Sequence, residues 1–174
     1  MPGPDFETVV AGYYEPLYRF AMSLTRSEAD ACDLTQQTFY VWVTKGHQLR
    51  DPSKVKSWLF TTLHRAFLES RRTLTRFPHC ELTETEADLP VILPEAARGL
   101  DATQAVEALG RLDEVYRAPV ALFYLEDCSY QEIADILETP IGTVKSRMAR
   151  GLAQLKHIFA GSNPARKRPG GPHE

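Results

Sequence analysis

Apolar residues recur at spacings of three and four along most of the chain, and no stretch alternates as a strand would. Between Asp5 and Leu24 the inward set is Phe6, Val9, Val10, Tyr13, Leu17, Phe20, Ala21 and Leu24, a helix that Pro16 is expected to break or kink near Tyr14 or Glu15. Ser27, with Asp30 three residues on, opens a second helix whose buried side is Ala31, Leu34, Thr35, Thr38, Phe39 and Trp42, and Gly46 is its expected stop. Asp33, Gln36, Gln37 and Tyr40 are left outside as a polar face suited to a protein partner. A third helix, capped by Ser53 and running to about Arg72, turns Trp58, Leu59, Thr62, Leu63, Ala66 and Phe67 inward. Lys54, Lys56, Phe60, His64, Arg65, Arg71 and Arg72 lie towards or beyond its opposite side. Cations interleaved with an exposed aromatic ring suit a phosphate backbone and an unpaired base.

From 77 to 100 the periodicity stops: three prolines and an acidic run read as a linker, with the Val91-Ile92-Leu93 cluster free to dock on either side. Asp101 and Gln104 restart helix, with Ala105, Val106, Ala108, Leu109, Leu112 and Val115 as one stripe, and another helix follows near Pro119. Then comes Ser129 to Phe159. Ser129 and Glu132 form a capping box for a short helix, Tyr130 to Leu137. Glu138-Thr139-Pro140 interrupts, and Thr139 is expected to cap a longer helix with Pro140 at its first position. That helix places Ile141, Val144, Met148, Leu152, Leu155 and Phe159 on one face. Its other side carries Thr143, Lys145, Ser146, Arg147, Arg150 and Gln154. A short helix, a tight turn and a longer helix with a cationic face make a helix-turn-helix whose second helix enters the major groove of DNA.

Charge strengthens that reading once it is resolved along the chain. The net of −3 over 174 residues argues against a nucleic-acid binder. Residues 141–173, however, hold seven Lys or Arg and no acid, whereas a merely solvated helix face usually mixes signs. Residues 50–76 carry a net of +5 and residues 79–114 a net of −7, so two basic blocks flank an acidic one. Cys32, Cys80 and Cys128 are widely spaced and odd in number, which fits reduced thiols in a cytoplasmic protein. No signal-peptide pattern or long apolar run is present. The five histidines are scattered, no metal-binding spacing occurs, and no glycine-rich loop precedes a helix. The sequence therefore predicts no catalytic residue, metal or cofactor.

In SYQEIADILETPIGTVKSRMARGLAQLK the chain resembles region 4 of bacterial RNA polymerase sigma factors of the extracytoplasmic-function type. DLTQQTFYVWV resembles the same family's polymerase-docking helix, and WLFTTLHRAFLESRR its −10-melting segment. The resemblance implies an all-α chain of two small helical domains joined by a flexible acidic linker. The expected boundaries are 1–76 for the region 2-like domain, 77–100 for the linker, 101–161 for the region 4-like domain and 162–174 for a disordered basic tail.

It also implies roles for residues. Asp33, Gln36, Gln37 and Tyr40 would meet core RNA polymerase. Lys54, Lys56, Trp58, Phe60, His64, Arg65, Arg71 and Arg72 would read or melt the −10 element, and Thr143, Lys145, Ser146, Arg147 and Arg150 the −35 element. An anti-sigma factor is a further implied partner. Cys32 and Gln37 stand where the family usually has more acid, and Arg65 and Glu69 where it commonly has Asn and Asp, which leaves the strength of docking and the −10 preference open. Two rival readings fit the sequence less well. A helix-turn-helix repressor has no use for the second basic block at 50–76, and an enzyme finds no geometry-ready constellation.

Overall fold

The computed structural model describes residues 4–74 and 99–161. The expected linker at 77–100, apart from its last two residues, the Val91-Ile92-Leu93 cluster, Cys80 and the basic tail fall outside them. Among the described residues there are seven α-helices and no strand: α1 (Phe6–Thr25), α2 (Glu28–Lys45), α3 (Val55–Leu74), α4 (Ala102–Gly110), α5 (Glu114–Glu126), α6 (Tyr130–Leu137) and α7 (Ile141–Gly161).

The helix starts follow from side-chain capping. Asp5 accepts from the Thr8 amide at 2.7 Å and Ser27 from the Asp30 amide at 3.3 Å. Asp101 with Gln104, and Ser129 with Glu132, close complete capping boxes, each satisfying two otherwise unpaired amides. Four local readings need correction. Helix α1 continues unbroken through Pro16. The residue four before it is Gly12, where the carbonyl meets the proline ring with no side chain adding to the crowding, and Leu17, Phe20, Ala21 and Leu24 are held in the core beyond it. Ser53 does not cap α3; Asp51 caps a single 3₁₀ turn, Pro52–Lys54, accepting from both the amide and the hydroxyl of Ser53. The helix expected to carry the stripe to Val115 stops at Gly110; Leu112 is still buried beyond its end, but Val115 lies exposed at the start of α5. The Thr139 hydroxyl caps nothing: it is buried without a hydrogen-bond partner.

Helices α1 and α2 form an antiparallel hairpin with α3 packed across both. Gly46 permits the tight turn that ends α2, since a Cβ there would lie 2.6 Å from the Trp42 ring. In the second half α7 packs on α5 and α6, and Gly151 lets α7 approach so closely that a Cβ would meet Val120 at 2.6 Å. The halves do not stand apart. Helix α1 packs on α4 and α5, and α3 packs on α6, so one continuous apolar core runs from Val9 and Leu17 through Leu63 to Leu122, Ile133 and Met148.

Candidate nucleic-acid and polymerase interfaces

The helix-turn-helix is set by its turn. Helix α6 buries Ile133, Ala134, Ile136 and Leu137 and ends on Glu138 in the left-handed region, φ 54° and ψ 42°. The Thr139 amide then returns to the Ala134 carbonyl at 3.1 Å, and α7 departs with Val144, Met148, Leu152 and Leu155 inward. Lys145 and Arg150 are exposed and Arg147 is half-buried. Thr143 and Ser146 depart from expectation, being only 5% and 6% exposed. Ser146 sits half a turn from the Met148–Leu155 stripe, so α7 is covered on a second side that the periodicity did not foresee.

On α3 the expected outer face divides. Phe60 is a core residue with no exposure, its ring 5.4 Å from that of Phe20. Trp58 is half-buried edge-on to Trp42, with centroids 5.2 Å apart. Lys54, Arg65 and Arg72 are exposed and Lys56, His64 and Arg71 half-buried. Three of these cations meet acids of the second half. The Arg65 guanidinium grips both oxygens of the Glu138 carboxylate, with Nε donating at 2.9 Å. Arg71 donates to Glu114 at 2.6 Å, and Lys56 Nζ donates to the Glu126 carbonyl at 2.8 Å with that residue's carboxylate 3.8 Å away. These acids were missed because nothing in the local pattern around 114, 126 and 138 links them to partners 43 to 73 residues earlier.

His64 lies in the same seam. Burial pushes its imidazole down to about 4, the Arg147 cation adds to the push, and Glu138 opposes it. At neutral pH it is therefore uncharged. An unfolded histidine titrates near 6.5, so between that value and about 4 the unfolded chain holds more protons and stability falls as pH is lowered. Thermal unfolding from pH 7.5 to 5 is expected to show a decline that is shallower in His64→Phe; equal slopes would remove His64 as a contributor.

Asp33, Gln36, Gln37 and Tyr40 are all exposed along one face of α2, as expected. Val43, missed in the sequence, extends that face at 61% exposure beside Tyr40 at 71%. A groove of about 620 Å³ between α1, the start of α2 and α4 is lined by Tyr18, Met22 and Val106 and contains none of the expected site residues. Among the described residues no helix is long and apolar enough to cross a membrane.

Residues 9–77 match sigma-70 region 2, and residues 103–155 match sigma-70 region 4. The chain belongs to the sigma-70 family. It is a sigma factor of the extracytoplasmic-function type, and such factors direct promoter-specific transcription initiation without chemistry of their own. Among its relatives is the ECF RNA polymerase sigma factor SigE of Mycolicibacterium smegmatis, 31% identical over 164 residues, covering 90% of this chain and 62% of the relative. The ECF RNA polymerase sigma factor SigM of Bacillus subtilis is 28% identical over 152 residues, covering 84% of this chain and 90% of SigM. Among solved structures, the sigma factor RpoE of Bartonella quintana, in complex with the anti-sigma factor NepR, aligns with a TM-score of 0.69 at 26% identity. That alignment covers 91% of this sigma factor and 99% of RpoE.

Proposed function

We propose that this sigma factor binds core RNA polymerase through the α2 face of Asp33, Gln36, Gln37, Tyr40 and Val43, reads the −35 element with α7, and captures the −10 element with α3. The observation that carries this is the absence of any acid from α7 itself, whose first turns hold Lys145, Arg147 and Arg150. Arg147 and Arg150 can reach guanine edges or phosphates, and Lys145 serves as a phosphate contact. Thr143 and Ser146 stay in the −35 set only as residues that become accessible when α7 is uncovered. On α3, Lys54, Lys56, Arg65, Arg71 and Arg72 follow the backbone of the −10 region, with Trp58 and His64 beside the strand. Phe60 supports that surface from the core instead of stacking on a base. Because relatives of this architecture include one held by an anti-sigma factor, a partner of that kind is part of the proposal. So is action in the cytoplasm as a binding protein without catalytic residue, metal or cofactor.

The proposed domain limits remain 1–76 and 101–161, with 77–100 as the tether that makes the second promoter contact effectively intramolecular. The direct test of α7 is selection of duplexes from a random pool by the full chain, followed by Arg147→Ala. Loss of about 1–3 kcal/mol of discrimination at one selected position is the expected result for a bidentate base contact. Equal weakening on selected and random duplexes would make it a phosphate contact, and unchanged affinity would remove it from the interface.

A further inference from the structure

The outer side of α7 expected from the sequence includes Gln154, but its side-chain amide is engaged within the protein. Its Nε2 donates to an Asp113 carboxylate oxygen at 2.5 Å, and its Oε1 accepts from the Asp113 backbone amide at 3.1 Å. The two bonds close a ring between α7 and the corner that starts α5. Asp113 holds the N-cap position of α5, yet its carboxylate caps nothing on its own helix. An aspartate there ordinarily turns its side chain onto an amide two or three residues ahead. Here the acid reaches across to α7 instead. We propose that Gln154 is a positioning residue: bridged to Asp113, it fixes the rotation of α7 and so decides how sharply Arg147 and Arg150 distinguish one −35 sequence from another. The proposal rests on the reading of α7 as the −35 helix given above.

Three observations carry it. Arg147, Arg150 and Gln154 stand three and four residues apart, so they share one side of α7. A turn of the helix about its axis moves all three together. The corner that receives Gln154 is itself fixed: Leu112 is buried, its amide donates to the Leu109 carbonyl at 3.1 Å, and its carbonyl accepts from Arg117 Nε at 2.8 Å. Gly151, finally, lets α7 lie so close to α5 that a Cβ there would meet Val120 at 2.6 Å and Tyr116 at 3.1 Å. That contact sets how near the two helices lie. Gln154 adds directional bonds about 4.5 Å further along the axis, and these separate one rotation from its neighbours.

Hydrogen bonds open to water add little to net stability, and the buried Val144, Met148, Leu152 and Leu155 hold α7 in place without them. Their effect is on precision. A designed contact of two prongs tolerates a misplacement of only about 0.5 Å. A phosphate contact from a long cationic side chain follows small shifts of the helix and carries no sequence information. Loss of the bridge therefore costs discrimination and spares general affinity.

The test uses the full chain, Gln154→Ala, and the exchange Asp113→Asn/Gln154→Glu, in which donor and acceptor change sides and the local charge is kept. Affinity is measured for a duplex selected by the wild type and for random duplex. Gln154→Ala is expected to keep the wild-type unfolding midpoint and, within about twofold, the affinity for random duplex. Its preference for the selected duplex should fall at least about fivefold, the lower end of what one bidentate base contact discriminates. The exchange should recover most of that preference. Unchanged preference in Gln154→Ala overturns the positioning role. A loss that the exchange does not recover makes Gln154 a direct DNA contact and overturns it as well, as does a lowered midpoint with equal weakening on both duplexes. A wild type that selects no sequence overturns the −35 reading of α7, and the positioning role falls with it.

Discussion

Replacing Phe60 by alanine is expected to cost the fold about 3–5 kcal/mol, the usual penalty for emptying a buried aromatic site. The ring is completely buried and packs at a tilt against Phe20, which is itself fully buried. Leu59 and Leu63 on the same helix are also without exposure, so the void cannot be filled by a small shift of one neighbour. A domain of this size holds a net stability of only about 5–15 kcal/mol, so the loss is a large share of the total. Urea unfolding followed by circular dichroism checks it. A variant of near wild-type stability that had lost only its affinity for single-stranded DNA would return Phe60 to the role of a stacking ring.

A charge reversal on α2 is expected to have an effect of the opposite kind: normal folding and lost activity. Asp33 is exposed, shares a face with Gln36, Gln37, Tyr40 and Val43, and is the only acid among those five. The underlying core is formed by Leu34, Thr38 and Phe39. Asp33→Lys should leave circular dichroism and duplex binding by α7 unchanged while weakening association with core polymerase, most strongly at low salt, because charges of this kind act chiefly on encounter. The exposed Tyr40 and Val43 supply the apolar contact beside it. Wild-type affinity of Asp33→Lys for core polymerase at low salt would sink the docking assignment.

Much of the fold is legible in the sequence because capping and amphipathic spacing are local. Ser27, Asp101 and Ser129 each lie within three residues of the amides they satisfy, and the inward sets of α1, α2 and α6 repeat with the helical period. What was not legible depends on neighbours far along the chain. The continuation of α1 through Pro16 reflects tertiary packing on α2 and α5, which outweighs one missing hydrogen bond. Phe60 read as an outer residue because its neighbours Lys56 and His64 are polar, yet α3 is covered on more than one side and its ring is needed against Phe20. Thr143 and Ser146 were misplaced for a related reason: the polar side of an amphipathic helix is exposed only when nothing packs on it. Ser53 and Thr139 carry the right chemistry for caps, but Ser53 is itself held by Asp51 in the 3₁₀ turn ahead of α3 and the Thr139 hydroxyl is buried without a partner. The exposure of Asp33, Gln36, Gln37 and Tyr40 on α2 was legible because it follows from periodicity, whereas the exposed Val43 beside them was not.

The central claim, that the chain directs initiation at promoters through two separate DNA-reading helices, is tested most directly by mapping transcript starts across a genome after controlled production of the full chain in its own host. The account predicts a set of induced starts that share two short sequence elements, one about 35 and one about 10 base pairs upstream, at a spacing fixed by the tether between α3 and α7. Induced starts with no shared pair of elements, or a response consisting only of repressed transcripts, would contradict it.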